Sequence, residues 1–318
     1  MNLSVSKIMP MVIECIREGI KLTNRNLQLI LVRIAVAVIN IAALLIFIGV
    51  PIVVAIAYLG FDFANAGDLL PEFIGDPFEV VSKYIGLAIL FVVSLIVYIM
   101  FSSTLFLYAL GGTLGTLKNS VVNSRYRFSL AVFFREANRN FSRLLWLLSL
   151  VSFVIIAALI LLTIMGGIVF AVNHSVSGAE SMLETFLNSF MIVFITIIAV
   201  IIFLVAIVFA IYSIVISIME GKGAVDTVKK TFEFLGQKPH AILFYLVLLS
   251  VIITVSLIFY GFQLPVRLVP PMLPFFDIFF YIINAFFHSY LVLIMWSSLT
   301  VYYVKKTDYP VDDTGYEI

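Results

Sequence analysis

Apolar residues gather into six long runs along the chain, at about 34–59, 85–110, 144–172, 186–219, 241–264 and 278–304. A helix needs roughly twenty mostly apolar residues to cross about 30 Å of hydrocarbon, and a helix satisfies its own backbone there, so each run predicts one membrane span. The fourth run has no charged residue from Thr185 to Met219. That exceeds one perpendicular crossing and predicts a helix that tilts or extends past the interface.

Shorter amphipathic patterns precede the first, third and fifth runs. In the middle one Leu130, Phe133, Phe134, Ala137 and Phe141 recur at three- and four-residue steps, with Arg135, Glu136, Asn138 and Arg139 on the other face and Ser129 as N-cap. The third sets Val225, Val228, Phe232 and Leu235 against Asp226, Lys229, Lys230 and Glu233. The first sets Val12, Ile13, Ile16 and Ile20 against Glu14, Arg17, Glu18 and Lys21, with Pro10 in its first turn. Such helices are expected to lie flat at the inner membrane surface, their bases toward anionic headgroups.

These entries look like copies of one unit. Asn24, Arg25, Asn26 and Leu27 precede the first span; Asn138, Arg139, Asn140 and Phe141 precede the third, 114 positions later; Gln237, Lys238, Pro239 and His240 precede the fifth. The exits repeat less fully. Phe101, Ser102, Ser103 and Tyr108 share their spacing with Trp296, Ser297, Ser298 and Tyr303, and the fourth span offers Tyr212, Ser213 and Ser217. The expectation is an all-α, polytopic transmembrane helical bundle: six spans as three repeated helical hairpins with cytoplasmic interfacial helices. It forms one integral membrane domain over 1–318, with parallel repeats at 1–114, 115–220 and 221–306 and a short acidic tail at 307–318.

Charge supplies an orientation that the hydropathy does not. When connections alternate between two sides, all of the 19 basic residues except Lys83 and Arg267 fall on one side, while the first connection on the other side holds Asp62, Asp68, Glu72, Asp76 and Glu79. By the positive-inside rule both termini are cytoplasmic, and an odd number of spans would spoil the sorting. The first span is expected to remain attached, because it is too long and too far from the start for a cleavable signal.

Composition agrees: 63% hydrophobic and 12% charged residues, with a net charge of +1, exclude an ordinary soluble globule and a disordered chain. A single cysteine, Cys15, excludes an internal disulfide and any multi-cysteine metal site. There is no phosphate-cradling loop, no paired-His zinc helix and no Gly-flanked serine nucleophile, so no catalytic residue, metal or cofactor is expected. The inner bases are accounted for by topology, which leaves nucleic acid without support as a partner.

The run Ile216, Ile218, Met219, Glu220, Gly221, Lys222, Gly223 and Ala224, followed by Lys229, Lys230, Thr231 and Phe232, resembles a passage in prokaryotic membrane families. These include the membrane domain attached to some glycerophosphoryl diester phosphodiesterases and related multi-span proteins of unassigned function. The resemblance implies a membrane architecture and no catalytic residue, since the esterase activity of those fused proteins belongs to a separate soluble barrel.

Candidates for chemistry are few. Arg17, Lys21, Arg25, Arg135, Arg139, Arg143, Lys229 and Lys230 are expected to contact anionic lipid headgroups. Asn40, His288, Ser297 and Ser298 are candidates for lining a cavity, with packing or an interhelical hydrogen bond as the plainer role. Arg33 is expected to snorkel from the first span. Glycines 111, 112 and 115 either admit a close neighbour or break the second span, and Gly166 and Gly167 suggest close approach in the third. His174 with Glu180 and Glu184 is a candidate metal trio, with a solvated helix start before the fourth span as the plainer role; Asp277 is a helix-start charge and the proline-rich 265–274 a rigid outer connector. The expected role is lipid-linked or scaffold-like and non-enzymatic, in the cytoplasmic membrane; export of an apolar or amphipathic solute is the alternative.

Overall fold

A computed structural model describes residues 5–62, 77–123, 125–176, 182–268, 274–307 and 309–310. Among them every regular element is helical: α1 (Val5–Arg25), α2 (Gln28–Leu44), a π-helical turn (Leu45–Gly49), α3 (Val50–Asp62), α4 (Pro77–Val122), α5 (Leu130–Val176), α6 (Met182–Glu220), α7 (Ala224–Gln237), α8 (His240–Leu268) and α9 (Pro274–Thr307). Six stretches are long and apolar enough to cross a membrane: Gln28–Ala57, Ile85–Val122, Leu130–Leu161, Ser189–Glu220, His240–Gln263 and Phe280–Thr307.

The ends of the helices differ instructively from their expected bounds. Helix α1 starts at Val5, so Pro10 lies inside it and removes one backbone hydrogen bond. A turn at Asn26 and Leu27 separates α1 from the first span, and Lys238 and Pro239 separate α7 from the fifth. The segment before the third span has no such break. Helix α5 begins after Ser129, whose carbonyl accepts from the Phe133 amide at 2.9 Å, and continues through Asn138–Arg139–Asn140 into the third span. Its amphipathic segment is therefore the opening turns of the span helix itself, and it has no turn with which to lie apart from that span.

The chain divides into two compact units, Met1–Leu27 with Gly111–Ile318, and Gln28–Leu110. In the smaller unit the π turn ends at Gly49, two residues before Pro51, and the Val50 amide bonds back to the Leu45 carbonyl. Proline offers no amide and crowds the preceding turn, and a widened turn is one way a helix accommodates it. Nε of Arg33 and Oδ1 of Asn40 are buried without a hydrogen-bond partner among the described residues. The outward side chains, including Val38, Ile41, Ile46, Val53, Ile89, Val93 and Ile96, are exposed aliphatics, consistent with helices long and apolar enough to cross a membrane.

The larger unit has a packed centre at its basic end. Tyr212, Phe244, Tyr302 and Tyr303 are fully buried there. Phe244 stacks on Tyr302 at 4.2 Å between centroids, Phe234 lies 5.2 Å from Tyr303 and 5.5 Å from Tyr212, and the Tyr212 hydroxyl donates to the Ala241 carbonyl at 2.9 Å. The aromatic bodies fill space between α6, α7, α8 and α9 while the phenol of Tyr212 finds its own acceptor.

Candidate functional site

At the basic end of the larger unit each amphipathic segment packs on the end of an even-numbered span through small or polar residues. Helix α1 crosses α9 at Gly19, where a Cβ would overlap Oγ of Ser298, and Thr23 donates to Oγ of Ser297 at 3.0 Å. The opening of α5 crosses α4 at three glycines. Phe133 occupies the space a Cβ on Gly112 would need, Glu136 does so at Gly115, and Asn140 lies against Gly111. These glycines therefore serve close approach, and α4 runs unbroken through them. Helix α7 meets α6 through Thr231, which accepts from the Ser213 hydroxyl at 3.1 Å. Gly166 and Gly167, by contrast, have nothing within contact distance among the described residues.

This packing divides the apolar stripes of the short helices between protein contact and exposure. The protein-side stripe of α1 is Val12, Cys15, Gly19, Leu22 and Thr23, while Ile13 is 59% exposed. On α5, Phe133 and Ala137 are buried, Leu130 and Phe134 are exposed, and Glu136, expected on the solvated face, is buried. On α7, Thr227, Thr231 and Phe234 turn inward while Val225 and Phe232 are exposed. Polar hydroxyl and amide pairs share these helix crossings with Val12, Leu22, Phe133 and Phe234, and the other aliphatic and aromatic groups are left outward.

The cation candidates divide by what already holds them. Arg25 donates to the Ser120 carbonyl and, at 3.3 Å, to that of Asn123, closing the C-terminal end of α4. Arg139 pairs with Glu136, whose other oxygen accepts from Asn119 at 3.3 Å. Lys230 stands 3.6 Å from Glu220, which also binds Lys222 at 2.6 Å and the Tyr303 hydroxyl. The Glu220 carboxylate in turn holds the Lys222 ammonium above its ordinary range. Lys305, outside the candidate set, bridges Glu14 and Glu18 at 2.8 Å each and draws the exposed Glu14 carboxyl below its usual range. Arg17, Lys21, Arg135 and Lys229 are exposed and have no ion pair among the described residues. Arg143 is half-buried and reaches the turn after α6, 3.3 Å from the Cβ position of Gly221.

The surroundings of two residues at this end carried no sequence signal. Lys118, on α4, donates to the last carbonyls of α6, Ile218 at 3.0 Å and Met219 at 2.6 Å. Cys15 is fully buried, and desolvation lifts its thiol to about 11. Spacing within the sequence relates neither residue to its neighbours, because the partners lie on other helices.

The cavity candidates are dispersed. Ser297 and Ser298 are fully buried in the α1–α9 crossing. His288 faces the Tyr260 hydroxyl at 3.3 Å, one turn from a reciprocal amide pair in which Gln263 donates to Asn284 at 2.9 Å and Asn284 donates back at 3.1 Å. These groups stitch α8 to α9. Asn40 belongs to the smaller unit. Among the described residues no three His, Cys, Asp or Glu side chains gather as for a metal ion. The side chains of His174, Glu180, Glu184, Asp277 and the 265–274 connection lie outside the described residues, as do those of the acidic first outer loop. No family model, curated protein or solved structure matches this chain.

Proposed function

We propose that this integral membrane protein is a non-enzymatic, lipid-linked scaffold of the cytoplasmic membrane, built from three repeated hairpins whose basic ends face the inner leaflet. One observation carries the reading. The short helical segments use one side, on which small and polar residues accompany Val12, Leu22, Phe133 and Phe234, for protein contact, which leaves Ile13, Leu130, Phe134, Val225 and Phe232 exposed beside Arg17, Arg135 and Lys229. Exposed apolar groups flanked by unpaired cations suit the boundary between acyl chains and anionic headgroups, where each base contributes about 1 kcal/mol.

In this arrangement α1 and α7 rest at the inner interface. The middle copy serves the same purpose with a stripe on a continuous helix, because Arg135, Arg139 and Arg143 recur every four residues on one side of α5. The protein would then fix the inner leaflet's anionic lipids around a rigid set of spans.

Replacing Arg135, Arg139 and Arg143 together by Gln tests it. Association of the purified protein with anionic lipid in mixed vesicles should weaken by at least tenfold, and more so at low salt. Unchanged lipid preference with an intact fold would refute the role.

A further inference from the structure

The end of α6 gathers more positive charge than protein contacts consume. Lys118 and Arg143 approach it from α4 and α5, the first through the Ile218 and Met219 carbonyls and the second at Gly221. Arg139 stands one turn before Arg143, and both arginines repel Lys118 electrostatically, with Glu136 as the attracting carboxylate. Glu136 is buried and already accepts from Arg139 and Asn119. Glu220, the next carboxylate along, is engaged by Lys222, Lys230 and Tyr303. Among the described residues Arg143 has no hydrogen bond or ion pair.

Three cations gathered at one helix end, where the carboxylates Glu136 and Glu220 are already engaged, form an arrangement that favours an added anion, because like charges held near one another in a partly desolvated place repel more strongly than in water. We propose that Lys118, Arg139 and Arg143 hold one phosphate group, supplied by a phospholipid headgroup or by free phosphate. The proposal rests on the basic end lying at the inner leaflet.

The chemistry of the three side chains suits a phosphate better than a carboxylate. The Arg143 guanidinium presents a fork that matches two phosphate oxygens, and Lys118 has a third N–H left after its two carbonyl bonds. Lys118 also covers the α6 carbonyls that would otherwise repel an anion at a helix C-terminus. Two positive charges remain once Glu136 is set against one of the three, which matches a phosphomonoester dianion. Depth points the same way: Arg143 is eight residues beyond Arg135, about 12 Å further along the helix toward the hydrocarbon.

The test uses the full-length protein in phosphatidylcholine nanodiscs, with and without phosphatidic acid, and reads retained lipid by native mass spectrometry together with the shift in thermal midpoint. The wild type should prefer phosphatidic acid over phosphatidylcholine. Arg143→Gln should lose that preference by about tenfold or more, since a charge-assisted pair is removed, and Arg143→Lys should keep part of it. Arg127→Gln, which removes an equal charge outside the cluster, should cost far less.

Inorganic phosphate identifies the source. If it displaces phosphatidic acid and shifts the midpoint by itself, the site takes free phosphate; if it does neither while the lipid preference stands, the site takes a headgroup. Equal losses in Arg143→Gln and Arg127→Gln would overturn the site and leave only diffuse attraction to the inner surface. A wild type with no preference for anionic lipid and no response to phosphate would overturn the site and the inner-leaflet reading together.

Discussion

Gly19 lies so close to Ser298 that a Cβ on residue 19 would overlap the serine Oγ and fall within 3 Å of its backbone N and Cα, at 2.8 and 2.9 Å. The α5–α4 crossing is of the same kind with the glycine on the other helix: position 133, 114 residues after Gly19, is a Phe whose ring fills the place of a side chain on Gly112. Both contacts are tight because one partner has no side chain. A rigid neighbour makes the first intolerant of even a methyl group.

Gly19→Ala should therefore loosen α1 from α9. The serine side chain can turn away, but its backbone nitrogen at 2.8 Å cannot, so the helices must separate. Overpacking of this kind costs about 1–3 kcal/mol. A thermal melt in detergent should show a lower midpoint, whereas Gly236→Ala, at a position with nothing within contact distance, should show little change.

Cys15 reports on the same seating. Only the thiolate reacts quickly with maleimides, and this thiol is both covered and raised to about 11 by desolvation. Native protein should label slowly at neutral pH, and labelling should accelerate in Gly19→Ala if α1 comes away. The sign for stability follows from the neutral form being favoured on folding. Below the ordinary thiol value of 9.0 both states keep the proton; above it the unfolded chain ionises first, so stability falls between there and about 11. Cys15→Ala should remove that alkaline decline, seen as a flatter midpoint over the same pH range.

The spans were legible because a twenty-residue apolar run is too long and too uniform for one helix of a soluble core, and a bilayer crossing requires that length. Facing at the basic end was harder to read. Hydrophobic periodicity put Ile13 and Phe232 on an apolar face and Glu136 on a charged one without saying which residues meet protein; in lipid an apolar residue has no reason to prefer protein, and small or hydrogen-bonding residues join Val12, Phe133 and Phe234 at the interfaces. Gly19, Thr23, Thr227 and Thr231 were the informative positions. The Asn-Arg-Asn entry before the third span resembled a boundary only because its counterpart at Asn24–Asn26 is one; no proline or glycine interrupts α5 there. Lys118 was legible as an inner-side cation, and its place on the α6 carbonyls depends on a neighbour 100 residues away.

The α6–α7 connection contains two glycines with opposite expectations. Gly221 has φ +68°, in the left-handed region, and its amide closes the end of α6 on the Ser217 carbonyl at 2.9 Å. Gly223 has φ −66° and open space around its Cβ position. Gly221→Ala should lower stability by about 1–2 kcal/mol, from the backbone alone. Gly223→Ala should be neutral or stabilising by up to about 1 kcal/mol, since it restricts the unfolded chain without strain. Equal effects in thermal or denaturant unfolding would show that the turn is not built this way.

Phe133 and Phe134 are neighbours in sequence and separate two kinds of apolar contact. Phe133 is 2% exposed and fills the groove over Gly112, whereas Phe134 is 51% exposed, touching Phe133 edge-on at 5.6 Å. Phe133→Ala leaves a cavity between α4 and α5 that no lipid reaches, and should cost about 3–5 kcal/mol in any detergent. Phe134→Ala removes a ring that water or lipid already covers, so its effect should depend on the solvent: small in detergent, yet a measurable loss of affinity when anionic vesicles compete with neutral ones. If Phe134→Ala destabilises as much as Phe133→Ala in detergent, that ring is a packing residue and the outward apolar face at the start of α5 is not a lipid face. If instead the two variants behave as their exposures require, the same pair of measurements assigns Phe133 to the protein interior and Phe134 to the membrane boundary.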